Sequence, residues 1–204
     1  MKVKRVITLL LVALMLLPVV FLEEAQAAPV TPMGRWINGA RPNFIVHRDF
    51  GDQTMTDFNS AMAVWNRQLG FTKITRNPTT RHTRARTGRS DGINSVYRVN
   101  WGILSYIAFA ELFPQGTTGG HARIVEVDIS FNMSHSFHNN PAATSPSFDV
   151  WSIMAHEAGH ALGLSDHSVA RDAIMFRSFN HAERRRQPTS LDIMHLNALA
   201  YRAS

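Results

Sequence analysis

Between His156 and Ser168 the chain reads HEAGHALGLSDHS, a stretch that has to begin as a helix and end as a turn. An α-helix advances about 100° per residue, so His156 and His160 lie on one face, one turn apart. Two imidazoles so placed can converge on one ion at about 2.0–2.1 Å, the usual zinc–nitrogen distance. Glu157 projects beside them rather than at the ion, where it can take a proton from water held there. Upstream, Ser147 is the expected N-cap of this helix, with Ile153 and Met154 facing inward. Gly159 and Ala161 keep the helix slim beside a packed neighbour, and Gly163 stands where the chain must leave it. Glycine accepts a positive φ, so the residues after Gly163 can swing back toward the ion. Asp166 and His167 both follow that swing, and the ion needs only one of them. Adjacent side chains on an extended segment point to opposite sides, so the two should not both coordinate.

The rest of the sequence sets bounds. A chain of 204 residues suits one domain with a real core. Its start reads as a secretory signal: Lys2, Lys4 and Arg5, then an apolar run from Val6 to Leu22, then Ala25-Gln26-Ala27 as a cleavage site. Glu23 and Glu24 follow directly with no basic stop, which argues against a membrane anchor. The expectation is a signal peptide over 1–27 and a secreted single domain over 28–204. With no cysteine, disulfides, thiolate metal sites and cysteine nucleophiles are excluded. No cysteine exists to plug a metal site and hold it latent.

The formal charge is +6, carried mostly by arginine, with Arg76, Arg81, Arg84, Arg86 and Arg89 in one stretch and Arg184 to Arg186 in another. No aromatic residue interleaves the first cluster as single-strand binding prefers, so no nucleic-acid partner is expected. Along the chain, Asn43 to His47 reads as a strand. Thr56 to Leu69 reads as an amphipathic helix stopped by Gly70. Residues 76–92 and 132–146 are polar and aperiodic, hence loops. Asn94 to Trp101 and Ala122 to Phe131 have strand composition, the latter with alternating Glu126, Asp128 and Ser130. A last helix is expected from Leu191 to Tyr201, capped by Ser190 or Thr189, with Leu191, Met194, Leu196 and Leu199 buried.

On these residues the chain resembles the metzincin zinc proteases, whose extended pattern is H-E-x-x-H-x-x-G-x-x-H or -D. DAIMF, Asp172 to Phe176, is similar to the family's Met-turn, with Met175 beneath the metal. SLDIMHLNALAY resembles the closing helix of matrixins, and SDGINSVYRV and EVDISFN resemble strands of bacterial matrixin-like enzymes. The resemblance implies an α+β fold: a twisted, mostly parallel sheet packed on an N-terminal helix and the active-site helix, with a C-terminal helix after the Met-turn. Counting from His156, the eleventh position is Asp166 and the twelfth is His167. Matrixins have histidine at the eleventh place and snapalysin-like enzymes aspartate. Asp166 is therefore the expected third ligand, with His167 as the alternative.

The same resemblance implies a secreted, monomeric zinc endopeptidase acting on protein or peptide substrates, with His156 and His160 as metal ligands and Glu157 as base. Phe176 stands where many matrixins have tyrosine, so no hydroxyl is available there. A substrate strand is expected along an exposed edge in the Ala122 to Phe131 region. Matrixins also carry structural zinc and calcium, which His121, His135 and His138 with Glu126 or Asp128 leave open here. Arg123, however, stands where a matrixin-like His-x-Asp needs aspartate. The alternative function is an inactive, secreted, zinc-stabilised or polyanion-binding module. Glu157 counts against it, since a structural site needs no base.

Overall fold

The computed structural model describes residues 31–37, 39–140, 142 and 146–201. The expected signal segment, 1–27, lies outside the described residues. In chain order the elements are β1 (Arg35–Trp36), β2 (Asn43–His47), α1 (Asp52–Leu69), β3 (Thr75–His82), β4 (Ser95–Val99) and β5 (Ala108–Thr118). They continue with β6 (His121–Asn132), β7 (Phe137–His138), β8 (Phe148–Asp149), α2 (Val150–Ala161) and α3 (Ser190–Ala198).

Six strands form one twisted sheet in the order β1-β6-β4-β2-β3, with β5 added to β6. Every pairing is parallel except β5 with β6, which runs antiparallel from Ala108↔Phe131 to Thr118↔His121. Parallel neighbours need a crossover between them, and α1 supplies it from β2 to β3. Its Met55, Phe58, Ala61, Met62 and Trp65 recur at three and four and are all buried. Phe58 meets Phe131 of β6 with ring centroids 5.2 Å apart. Burial of Phe44, Phe58 or Phe131, none more than 1% exposed, contributes on the order of 1.5–3 kcal/mol each. The helix is joined to α2 by the Trp65 indole, which donates to the Ala155 carbonyl at 2.8 Å. The α+β architecture is the expected one, and α1 starts at Asp52 rather than Thr56.

Several local expectations need correction. Residues 76–92 are not wholly loop, because Thr75–His82 forms edge strand β3. Its polar sequence suits an exposed edge, and Pro78 falls where the register with β2 slips between Phe44 and Val46. The Ala122–Phe131 segment is not an edge: β6 pairs with β5 along one side and with β1 and β4 along the other. The edge is β5, whose pattern Pro114 interrupts, with register shifts on both sides of it. The 132–146 loop contains the short strand β7, paired with β8. Helix α2 is capped by Asp149, not Ser147, because the Asp149 carboxylate accepts from the Ser152 amide at 3.1 Å and hydroxyl at 2.6 Å. Helix α3 ends at Ala198 rather than Tyr201; Leu196 and the C-cap Leu199 are buried, but Met194 is 37% exposed and Leu191 only partly covered. Asp192 and His195 take the inward places instead.

Candidate metal centre

Asp149 is held in turn by Arg186, whose Nε lies 2.8 Å from Oδ2. Carboxylate and guanidinium thus fix the start of α2, and its histidines appear two and three turns later. His156 and His160 meet with ring centroids 4.6 Å apart. Each Nδ1 faces a backbone carbonyl at 2.8 Å, Ile174 for His156 and Leu164 for His160. A carbonyl only accepts, so each Nδ1 carries hydrogen and each Nε2 presents a lone pair to the other at 3.1 Å.

Gly163, at φ +100°, then turns the chain back. A Cβ there would stand 2.1 Å from the Gly34 carbonyl oxygen, so glycine is required twice over. The turn delivers Asp166 Oδ1 to 3.2 Å from His156 Nε2 and 3.4 Å from His160 Nε2. Three donors at tetrahedral angles around one ion at about 2.0–2.1 Å stand about 3.3–3.4 Å apart. Two opposed lone pairs and a carboxylate at these separations fit a shared cation. Among the described residues, His156, His160 and Asp166 are the one group of histidines and acids whose ligand atoms converge this way. Burial opposes ionised Asp166, yet the His156 and His160 imidazoles hold its carboxyl well below the usual range. His160 takes up a proton more readily than an ordinary histidine: burial opposes it, but the Nε2–H so formed would donate to Asp166 and meet the Glu157 charge, which outweigh that.

The chain separates Asp166 from its neighbour. The His167 amide donates to the Met175 carbonyl and its carbonyl accepts from the Arg177 amide, both at 3.0 Å. Its side chain consequently points inward, 1% exposed, with Nε2 3.9 Å from Asp192 Oδ1. Asp166, by contrast, has its side chain 47% exposed on the cleft side.

Glu157 lies beside the histidines, 5% exposed, with Oε2 unpartnered among the described residues. Burial pushes its carboxyl up, against the pull of His156, His160 and a hydrogen bond from the Ala110 amide of β5. Glu157 opens with the histidines and Asp166 into a cavity of about 810 Å³, walled by β5 and by residues 177–179. Met175 lies beneath and is fully buried, and a Cβ on Gly159 would stand 2.2 Å from its Sδ and 3.0 Å from Trp65. Gly159→Ala should therefore cost about 1–3 kcal/mol, the range for overpacking. Thermal melting would show it as a fall of several degrees, and an unchanged midpoint would contradict this packing.

A family model for matrixins matches residues 47–200. This chain belongs to the matrixin family. It is a zinc metalloprotease of metzincin type, and its relatives imply zinc at the centre. Its structure is similar to that of high choriolytic enzyme 1, a hatching-enzyme zinc-protease from Oryzias latipes, at 12% identity and a TM-score of 0.44 over 83% of this chain and 96% of that one. No curated protein matches it by sequence.

Within this matrixin, His121 stands at the start of β6 and His135 beyond its end, roughly 40 Å of extended chain apart. His135 faces the Ser105 carbonyl at 3.2 Å, and calcium finds no support. The first arginine cluster is largely paired, Arg81 with Asp52, Arg84 with Asp91 and Arg86 with Glu111. No described helix is long and apolar enough to cross a membrane. Asp192, unremarked in the sequence as a site residue, accepts from the Ile174 and Met175 amides at 3.0 Å each. It also closes a capping box with Thr189. The box was readable as Thr189-x-x-Asp192, but the contact with the Met-turn is tertiary.

Proposed function

We propose that the mature chain from Ala28 is a secreted zinc endopeptidase with His156, His160 and Asp166 as metal ligands and Glu157 as general base. The convergence of two Nε2 lone pairs and the Asp166 carboxylate beside the free Glu157 oxygen carries this reading. Zinc, when bound, acidifies water and polarises a peptide carbonyl. Glu157 Oε2 takes the proton from the attacking water and delivers it to the nitrogen of the leaving amine. Its burial, which raises proton affinity, suits it to hold that proton between the two transfers. Hydrogen bonds from Nδ1 to the Ile174 and Leu164 carbonyls keep both imidazoles oriented with Nε2 toward the cleft. The free edge of β5 offers backbone groups for pairing with an extended substrate.

A clearing assay on casein tests this. Protein recovered from culture medium should have the mass of a chain starting at Ala28 and should clear casein without thiol treatment. A zinc chelator should abolish clearing and added zinc restore it. Clearing that survives complete zinc removal sinks the proposal, and no clearing by zinc-loaded protein favours an inactive module.

A further inference from the structure

The cavity that exposes His156 and Glu157 is walled chiefly by apolar side chains, Leu104, Tyr106, Phe109, Ile153 and Phe179 among them. Apart from the metal-centre residues, the one charged lining residue is Arg177. Its backbone is fixed, because its amide donates to the His167 carbonyl at 3.0 Å, on the strip that carries Met175. Its side chain is exposed to the cavity.

Nearby arginines are committed to acids of the fold, Arg185 to Glu183 at 3.0 Å and Arg186 to Asp149. Arg177 has no ion pair, side-chain hydrogen bond or aromatic partner among the described residues. Neither acid of the cavity pairs with Arg177 among the described residues. Asp166 lies 3.2 and 3.4 Å from the imidazoles, and Glu157 is buried beneath them. An unpaired guanidinium beside apolar walls is a strong site for a carboxylate, since its planar fork can donate two parallel hydrogen bonds. Arg177 is exposed, so solvent screens the attraction and the geometry of the fork carries the selectivity.

We propose that Arg177 binds a carboxylate of the substrate near the scissile bond, so that this enzyme prefers acidic peptides. The inference rests on the reading of the cleft as a peptidase site. The carboxylate has two sources, a Glu or Asp side chain flanking the cleaved bond or the free C-terminus of a short peptide. Both present the same two oxygens to the guanidinium.

The test uses zinc-loaded wild type, Arg177→Gln and Arg177→Glu on matched peptides. One series exchanges Glu for Gln or Lys at single positions around the cleaved bond, and the other exchanges a free C-terminus for an amide. The same labelled peptides are titrated by fluorescence anisotropy into Glu157→Gln protein, with and without Arg177→Gln.

Wild type should favour the carboxylate peptide by roughly 2- to 10-fold in kcat/KM, as expected for a bidentate charge pair at an exposed position. The anisotropy Kd should move in the same direction. Arg177→Gln should erase the preference, and Arg177→Glu should favour Lys over Glu. A preference confined to the first series identifies a side chain, and one confined to the second identifies the C-terminus. Equal rates and affinities across both series overturn the proposal. So does a uniform loss in kcat for every peptide in Arg177→Gln, which would place the arginine at the reacting carbonyl. Carboxylate-selective binding without any hydrolysis by wild type would leave Arg177 its role and remove the peptidase reading instead.

Discussion

Glu157→Gln should retain stoichiometric zinc and lose roughly 10²–10⁴-fold in peptide hydrolysis, the usual contribution of a positioned acid–base group. Glutamine has the same shape, so the Ala110 amide keeps an oxygen to donate to and β5 stays in place. What disappears is the capacity to accept a proton and give it back. Oε2 of Glu157 has no partner among the described residues, which leaves it free for that exchange. The measurement is zinc content by atomic absorption beside kcat/KM on one peptide. Near-normal hydrolysis at full zinc occupancy would remove Glu157 from the role, and loss of zinc would reveal a ligand or folding contribution instead.

Asp166→Ala and His167→Ala should fail in different ways. Removing Asp166 leaves two imidazoles with no carboxylate, so zinc affinity should fall at least tenfold and activity with it. Removing His167 takes a ring from a buried pocket shared with Asp192 and His195, whose ring centroid lies 5.8 Å away. That loss should appear chiefly as lower thermal stability, by about 1–3 kcal/mol for a truncated buried side chain, while zinc stays bound. Zinc titrations and melting curves on both variants decide it. An Asp166→Ala protein with full zinc, beside a metal-free His167→Ala protein, would transfer the ligand role to His167.

Much of this centre is local chemistry and therefore legible. Helical periodicity places His156, Glu157 and His160, and the positive φ of Gly163 follows from what only glycine does easily. Counting favours Asp166, and strand alternation sends His167 the other way. What could not be read depends on distant partners. Asp149 outcompetes Ser147 as a cap because Arg186, far along the chain, holds its carboxylate. β5 is hidden by Pro114 and by small residues whose burial depends on β6 and α2. Met194 turns outward and Asp192 inward in α3 because a polar acceptor is needed under the Met-turn amides, a demand set by tertiary packing.

That last contact ties two equilibria together. Asp192 serves the α3 cap and the Ile174 and Met175 amides with one carboxylate, and the Ile174 carbonyl orients His156. Fraying of the closing helix would therefore release the floor of the centre, and an ion that binds only the intact centre opposes the fraying by mass action. Zinc added to the protein should therefore raise the protection of the α3 amides from hydrogen exchange, the C-terminal helix serving as a clasp on the proposed centre.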